Sequence, residues 1–391
     1  MLESSAGQTY KRRPIAGVAP ATCGLQPVTC IMNRRFSSFS QHLLAWYRAH
    51  KRNLPWRRTV DPYRIWISET LLQQTQVATV IPYYERFIAR FPTVEDLAAA
   101  PLDDVLKTWE GAGYYARARN LHRAAQQIVN EHGGCIPDTV DELLKLPGVG
   151  RYTAGAVASI AFGRDAPVLD GNVMRVLCRY EGIREDIQSG ATRERLWTLA
   201  AKVLPPGQAG DWNQALMEHG ATLCTPRNPQ CNICPVRRGC VARREGLTAQ
   251  IPFKRPKKAN PHYIIGVGVI WRRGRILIQR RKEEGLLGGL WEFPGGKLEP
   301  DEALSACVRR EAQEELGIEV HVGEELAVVD HSYTHFSITM HAFTCRHVRG
   351  RPRPHSATAL KWVRPDELAQ YAFPAANRKI IARLAQERAP R

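Results

Sequence analysis

"LPGVGRYTAG", Leu146 to Gly155, sits between two apolar-periodic runs, "VDELLKL" before it and "YTAGAVASIAFG" overlapping its end. Pro147, Gly148 and Gly150 cannot continue a helix, so the stretch predicts helix, tight turn, helix. Gly148 and Gly150 would let backbone N–H groups approach a phosphate at a helix N-terminus. An ordinary interhelical turn has the same composition.

Outward from this turn the helical texture persists. Phe39, Leu43, Trp46 and Tyr47 recur at helical spacing, with Ser37 or Ser38 as a cap. Similar runs follow to about Ala242, and no strand pattern interrupts them. Residues 243–261 are basic and broken by prolines, which predicts a linker. After His262 the period changes. "YIIGVGVIW", "RILIQRR", "EVHVGEELAVVD", "SITMHAFTCRHV" and "ALKWV" predict short strands, with helices near 302–316 and at the C-terminus. The fold class is multidomain: an all-α domain over 36–242, then an α+β domain over 262–391. Residues 1–35, interrupted by Pro14, Pro20 and Pro27, are expected to form a disordered leader, with Met32 as the working start.

The chain has 391 residues and a formal net charge of +17. Such a balance points to a polyanion, most often nucleic acid. No apolar run is long enough to span a bilayer, so no membrane partner is expected. Four of the ten cysteines follow Cys224-x6-Cys231-x2-Cys234-x5-Cys240. Four thiolates in one loop can hold zinc or an iron–sulfur cluster, and a single C-x2-C departs from the paired zinc pattern. Arg227, Arg237 and Arg238 beside them suit phosphate contact.

Two acids stand out in the helical part. Asp170 precedes a helix in "VLDGNVMRVL"; it could cap that helix or face a pocket. Glu69, among Trp66, Ile67, Leu71 and Leu72, could lie on a solvated face, or could hold a proton for general acid chemistry. A third acidic group lies in "GGKLEPDEALSACVRREAQEELGI", Gly295 to Ile318, where Glu311, Glu314 and Glu315 would share one helix face. Their repulsion calls for a metal, a partner or solvent.

"LPWR", "WISETLLQQTQVATVIPYYERF", "GAGYYARARNLHRAA", "LPGVGRYTAGAV", "LDGNVMRVL", "WNQALMEHGA" and the four-cysteine loop occur in that order. Together they resemble the MutY family of adenine DNA glycosylases, within the endonuclease III-like helix-hairpin-helix superfamily. The resemblance implies excision of adenine opposite 8-oxoguanine or guanine in duplex DNA, in base excision repair. Glu69 would protonate the adenine, and Asp170 would stabilise the oxocarbenium ion. Arg52, Trp56, Asn172 and Glu218 would line the base pocket beside Leu72. Gln74 and Tyr114 would wedge into the base stack, and Gly148 and Gly150 would grip the backbone. Cys224, Cys231, Cys234 and Cys240 would hold a [4Fe–4S] cluster. Lyase relatives carry a lysine where this chain has Tyr152; a phenol forms no imine, so the expected enzyme is monofunctional.

Gly295 to Ile318 resembles a Nudix box, which implies an α+β Nudix-like domain and Mg2+ at Glu311, Glu314 and Glu315. In MutY-type proteins this domain recognises 8-oxoguanine, and Tyr333, Thr334 and His335 stand where its reader loop would be. Relatives usually have lost the box acids; this chain keeps them. A monomer in the cytoplasm, bound to the nucleoid through DNA, is expected. A lyase-type pyrimidine glycosylase, a nucleotide pyrophosphohydrolase and a non-catalytic iron–sulfur DNA-binding protein are the rival readings. Activity on a duplex with one A:8-oxoguanine pair, set against activity on free nucleotides, separates them.

Overall fold

A computed structural model describes residues 27–256 and 259–386. The helical part runs α1 (Pro27–His50), α2 (Pro62–Leu72), α3 (Val77–Arg90), α4 (Val94–Ala99), α5 (Leu102–Thr108), α6 (Ala116–His132), α7 (Val140–Leu143), α8 (Arg151–Ile160), α9 (Gly171–Glu181), α10 (Gly190–Lys202), α11 (Ala209–Thr222) and α12 (Val241–Arg244). Local chemistry sets the boundaries. Asp61 caps α2 by accepting from Tyr63 N and Arg64 N, with Pro62 at the first position. Thr93 and Asp96 form a capping box on α4. Gly182 ends α9 in the left-handed conformation.

Two apolar cores divide this part. Ile67, Phe87, Phe91 and Trp109 centre one. Phe39, Leu43, Tyr47 and Trp212 centre the other. Helix α8 enters both, through Val157 and Ala156, and so joins the two halves around a cleft. The turn before α8 does what its glycines suggest. Gly148 has φ +76°, and a β-carbon there would meet Asn120 at 2.5 Å.

The first helix differs from expectation. It starts at Pro27, so Ser37 and Ser38 lie inside it and cap nothing. Proline is compatible with a helix's first turn, where its missing N–H has no intrahelical partner. Residues 27–35 of the expected leader are therefore helical, and residues 1–26 lie outside the described part.

The second part contains β1 (His262–Arg272), β2 (Arg275–Arg281), β3 (Trp291–Glu292), β4 (Gly295–Lys297), α13 (Leu304–Leu316), β5 (Glu319–Ser332), β6 (Ser337–Arg349), β7 (Ala357–Val363) and α14 (Ala375–Leu384). The sheet order is β3-β2-β1-β6-β5, with β4 also on β1 and β7 on β2. Strands β1 and β6 are parallel, from His262 opposite Ser337 to Trp271 opposite Arg346. One core holds Val267, Phe293, Phe373 and Ile380 of α14; the other holds Ile270, Leu277, Val308 and Leu316, beneath α13. Strands β3 and β4 fall in "WEFPGGK", too short to show a period of two.

The two parts dock directly. Leu290 and Ala372 are buried in the core around Trp109. Lys107 Nζ donates to Tyr371 O at 3.1 Å, and Phe373 N donates to Glu110 Oε1 at 3.0 Å. Arg280 pairs with Asp103 at 2.9 Å.

Candidate active site

The interior face of α2 carries Glu69 into the cleft, where it is 4% exposed. Helix α8 brings Tyr152 opposite, and its Oη donates to Glu69 Oε2 at 2.5 Å. The same hydroxyl lies 3.2 Å from Met217 Sδ on α11. Asp170, at the start of α9, joins them. Its Oδ1 accepts from Val173 N at 2.7 Å and its Oδ2 from Asn172 Nδ2 at 2.8 Å. Capping and pocket-lining are thus one arrangement, not alternatives. The pocket has room for about 120 Å3 and is also lined by Arg52, Trp56, Leu72 and Glu218.

Glu69 and Asp170 are held differently. Burial pushes the Glu69 carboxyl up to about 7, with Tyr152 opposing and Asp170 reinforcing the rise. Burial also raises Asp170, but Val173 N, the Asn172 side chain and the Arg175 charge all favour its anion. Glu69 is therefore the natural acid and Asp170 the natural anion. Burial would raise Glu218 too, yet hydrogen bonds from Arg52 and Arg57 hold it down to about 2. Arg52 Nε and Arg57 Nη2 donate to it at 2.7 and 2.9 Å. Glu218 is thus a fixed anion that orders two guanidinium groups at the pocket wall. Sequence reasoning passed over Arg57, although "LPWR" contains it, and Met217, which carried no chemical signal.

Gln74 and Tyr114 both have left-handed backbones, with φ of +59° and +48°. Each stands in a tight turn beside a second cleft, of about 380 Å3, between the two parts. Tyr333, Thr334 and His335 line its other wall. Tyr114 Oη and Thr334 Oγ1 are in hydrogen-bond contact. Tyr333 N donates to Phe336 O at 2.8 Å, closing the loop. Gly148 and Gly150 are exposed at the turn before α8.

The four loop cysteines line one small cavity beneath α9 and α11. Burial pushes Cys234 up to about 12, so bare thiolates there need a cationic centre to stabilise them. Donors already face the sulfurs: Arg179 Nη1 lies 3.4 Å from Cys224 Sγ, and His219 Nε2 lies 3.3 Å from Cys234 Sγ. His219 Nδ1 is buried without a partner. These residues fit a sulfur-ligated group. Among the described residues, no three His, Cys, Asp or Glu side chains converge as ligands of a single metal ion.

The box acids carry partners of their own. Arg310, on their own helix, pairs with Glu302 and Glu311 at 2.9 Å each and with Glu314 at 3.0 Å. Glu315 instead accepts from Gln279 Nε2, Gly295 N and Ser356 Oγ. The repulsion is answered by an internal arginine and neutral donors.

Comparison with known proteins agrees with both parts. The HhH-GPD superfamily of base excision DNA repair proteins matches residues 67–202, and a NUDIX domain matches residues 266–383. An adenine DNA glycosylase of Rattus norvegicus is 36% identical over 88% of this chain and 77% of its own length. The Homo sapiens adenine DNA glycosylase is 35% identical over 93% of this chain and 79% of its own. A solved thermostable thymine-DNA glycosylase shares 33% identity at a TM-score of 0.50, over 55% of this chain and 99% of that one. With both domains matched in order and such relatives aligned along most of its length, the chain belongs to the adenine DNA glycosylase family.

Proposed function

We propose that this glycosylase hydrolyses the N-glycosidic bond of adenine opposite 8-oxoguanine or guanine in duplex DNA, without cleaving the strand. The observation that carries the reading is the pairing of a raised, buried Glu69 with a well-solvated-by-protein Asp170 in one pocket. The flipped adenine enters that pocket after leaving the stack. The Glu69 carboxyl gives its proton to a ring nitrogen of the base. The C1′–N9 bond breaks, its electron pair leaves with the base, and positive charge develops on the sugar. The Asp170 carboxylate stabilises that oxocarbenium ion until water adds. Asn172 keeps Asp170 oriented, and Tyr152 keeps Glu69 aimed. Tyr152 has no amine, so it forms no imine with the sugar. Arg52, Trp56, Leu72 and Glu218 shape the base pocket.

Gln74 and Tyr114 act as the wedge; Tyr333, Thr334 and His335 read the opposite base; Gly148 and Gly150 hold backbone phosphates. Cys224, Cys231, Cys234 and Cys240 hold a [4Fe–4S] cluster, which when bound fixes the loop that carries Arg227, Arg237 and Arg238. We assign the NUDIX domain to recognition, with magnesium held only weakly at Glu311, Glu314 and Glu315 because Arg310 already pairs with Glu311 and Glu314. Residues 243–261 serve as the linker. The enzyme works as a monomer in the cytoplasm, on the nucleoid.

Single-turnover excision from an A:8-oxoguanine duplex tests the reading. Glu69→Gln is expected to lose activity while binding the duplex. A variant turning over near the native rate would sink the mechanism. Activity on free nucleotides alone would transfer it to the NUDIX domain.

A further inference from the structure

Arg119 lies one turn inside α6, behind the wedge residue Tyr114. It is 7% exposed. Its guanidinium reaches out of the helical domain and donates to Gly288 O, with Gly285 O at 3.5 Å. Both carbonyls belong to the 282–289 loop of the NUDIX domain. Among the described residues its hydrogen-bond partners are carbonyl oxygens, not carboxylates. An apolar side chain would pack here at less desolvation cost, so the arginine's fork must matter for what it holds.

The gripped loop is conformationally demanding. Gly285, Leu287 and Gly289 have φ of +87°, +58° and +77°. Leu287 packs on the helical core around Trp109. A β-carbon on Gly289 would meet Leu106 of α5 at 3.2 Å. On its outer side the loop presents Leu286, 50% exposed, to the cleft between wedge and reader. Tyr114 therefore lies just before the N-cap of α6, and the first turn of that helix carries the clamp on the cleft floor.

We infer that Arg119 is a positioning residue that sets the spacing between the wedge and the reader loop, and thereby selectivity for the base opposite adenine. The inference rests on the reader role proposed above. Arg119 touches no reacting atom; it acts through the carbonyls of Gly288 and Gly285. Without it the loop keeps the packing of Leu287 and Leu290 on the helical core but loses its hydrogen bonds to α6, and the cleft floor can shift. A shift of about 1 Å is enough to cost a large factor in rate.

The test is single-turnover excision from A:8-oxoguanine and from A:G duplexes, with thermal unfolding of each variant. Arg119→Met is expected to lower the ratio of the two rates roughly tenfold, leaving the A:G rate within about twofold. Arg119→Lys should recover part of the ratio, since an ammonium can reach one carbonyl. Gly289→Ala puts a β-carbon 3.2 Å from Leu106 and 3.8 Å from Arg119 Cδ at a left-handed φ, so it should shift the loop and lower the ratio with the arginine still present. A Thr334→Ala, His335→Ala double variant tests the reader itself. If the double variant loses the ratio and Arg119→Met keeps it, the positioning role is wrong. If Arg119→Met loses both rates equally along with its melting temperature, the residue is merely structural and the inference also fails. If the double variant keeps the ratio, the reader assignment fails instead.

Discussion

Tyr152 Oη donates to Glu69 Oε2 at 2.5 Å across the cleft between α8 and α2. This contact ties the residue proposed to make the enzyme monofunctional to the one proposed to supply its proton. Tyr152→Phe removes a donor that favours ionised Glu69, so the Glu69 carboxyl should rise above its value of about 7. The basic limb of the excision profile should then move to higher pH. A profile that does not move, or moves down, would show that the hydroxyl does not act on Glu69.

The same contact bears on strand cleavage. Borohydride added during turnover should trap no imine-linked adduct between the wild-type enzyme and DNA, because Tyr152 has no amine and no lysine lines the pocket among the described residues. A strong trapped band dependent on Glu69 and Asp170 would revive the lyase reading.

Glu69 should also limit stability. Its carboxyl is raised from 4.5 to about 7 in the folded protein. A raised folded pKa stabilises fully below the unfolded value and loses that contribution as pH rises through about 7. Glu69→Gln, which never ionises, should therefore be more stable than the wild type at pH above 7, by roughly 2–3 kcal/mol. Near pH 5 the gap should shrink to little. Chemical denaturation of both proteins across pH measures this independently of activity.

Asp170 combines two functions that substitution can separate. Asn caps helices about as well as Asp, so Asp170→Asn should fold normally yet lose excision by at least roughly a hundredfold. Asp170→Ala should lose excision and also about 1 kcal/mol of stability through the missing cap to Val173 N. If Asp170→Asn excises normally, the carboxylate is a cap alone.

Much of this was legible because it is periodic or chemically rare. The α8 turn announced itself through Pro147, Gly148 and Gly150, and the change of period after His262 marked the second domain. Long strands such as β5 and β6 showed alternation; β3, with two residues, could not. Pro27 read as a break because proline is named a breaker more often than a starter. The compensation of the box acids was hidden for a different reason. Arg310 lies in the same stretch of sequence, but only the fold shows its guanidinium reaching Glu302, Glu311 and Glu314 together. Arg119 and its carbonyl partners, 166 and 169 residues away in sequence, left no local pattern at all.

The box acids give the final test. Three carboxylates converge on Arg310, whose side chain is 23% exposed, with Glu302 and Glu311 still less exposed. Arg310→Met should cost roughly 1–3 kcal/mol, because it strands partly buried carboxylates. Those carboxylates are then free to attract a cation. Millimolar magnesium should accordingly raise the melting temperature of Arg310→Met more than that of the wild type, where binding is weak. Wild-type protein should hydrolyse 8-oxo-dGTP poorly with magnesium, and Glu314→Gln with Glu315→Gln should leave that residual rate unchanged. Efficient hydrolysis abolished by the double substitution would make the NUDIX domain a second active site. It would also mean that Arg310 yields the acid face to the metal when nucleotide arrives.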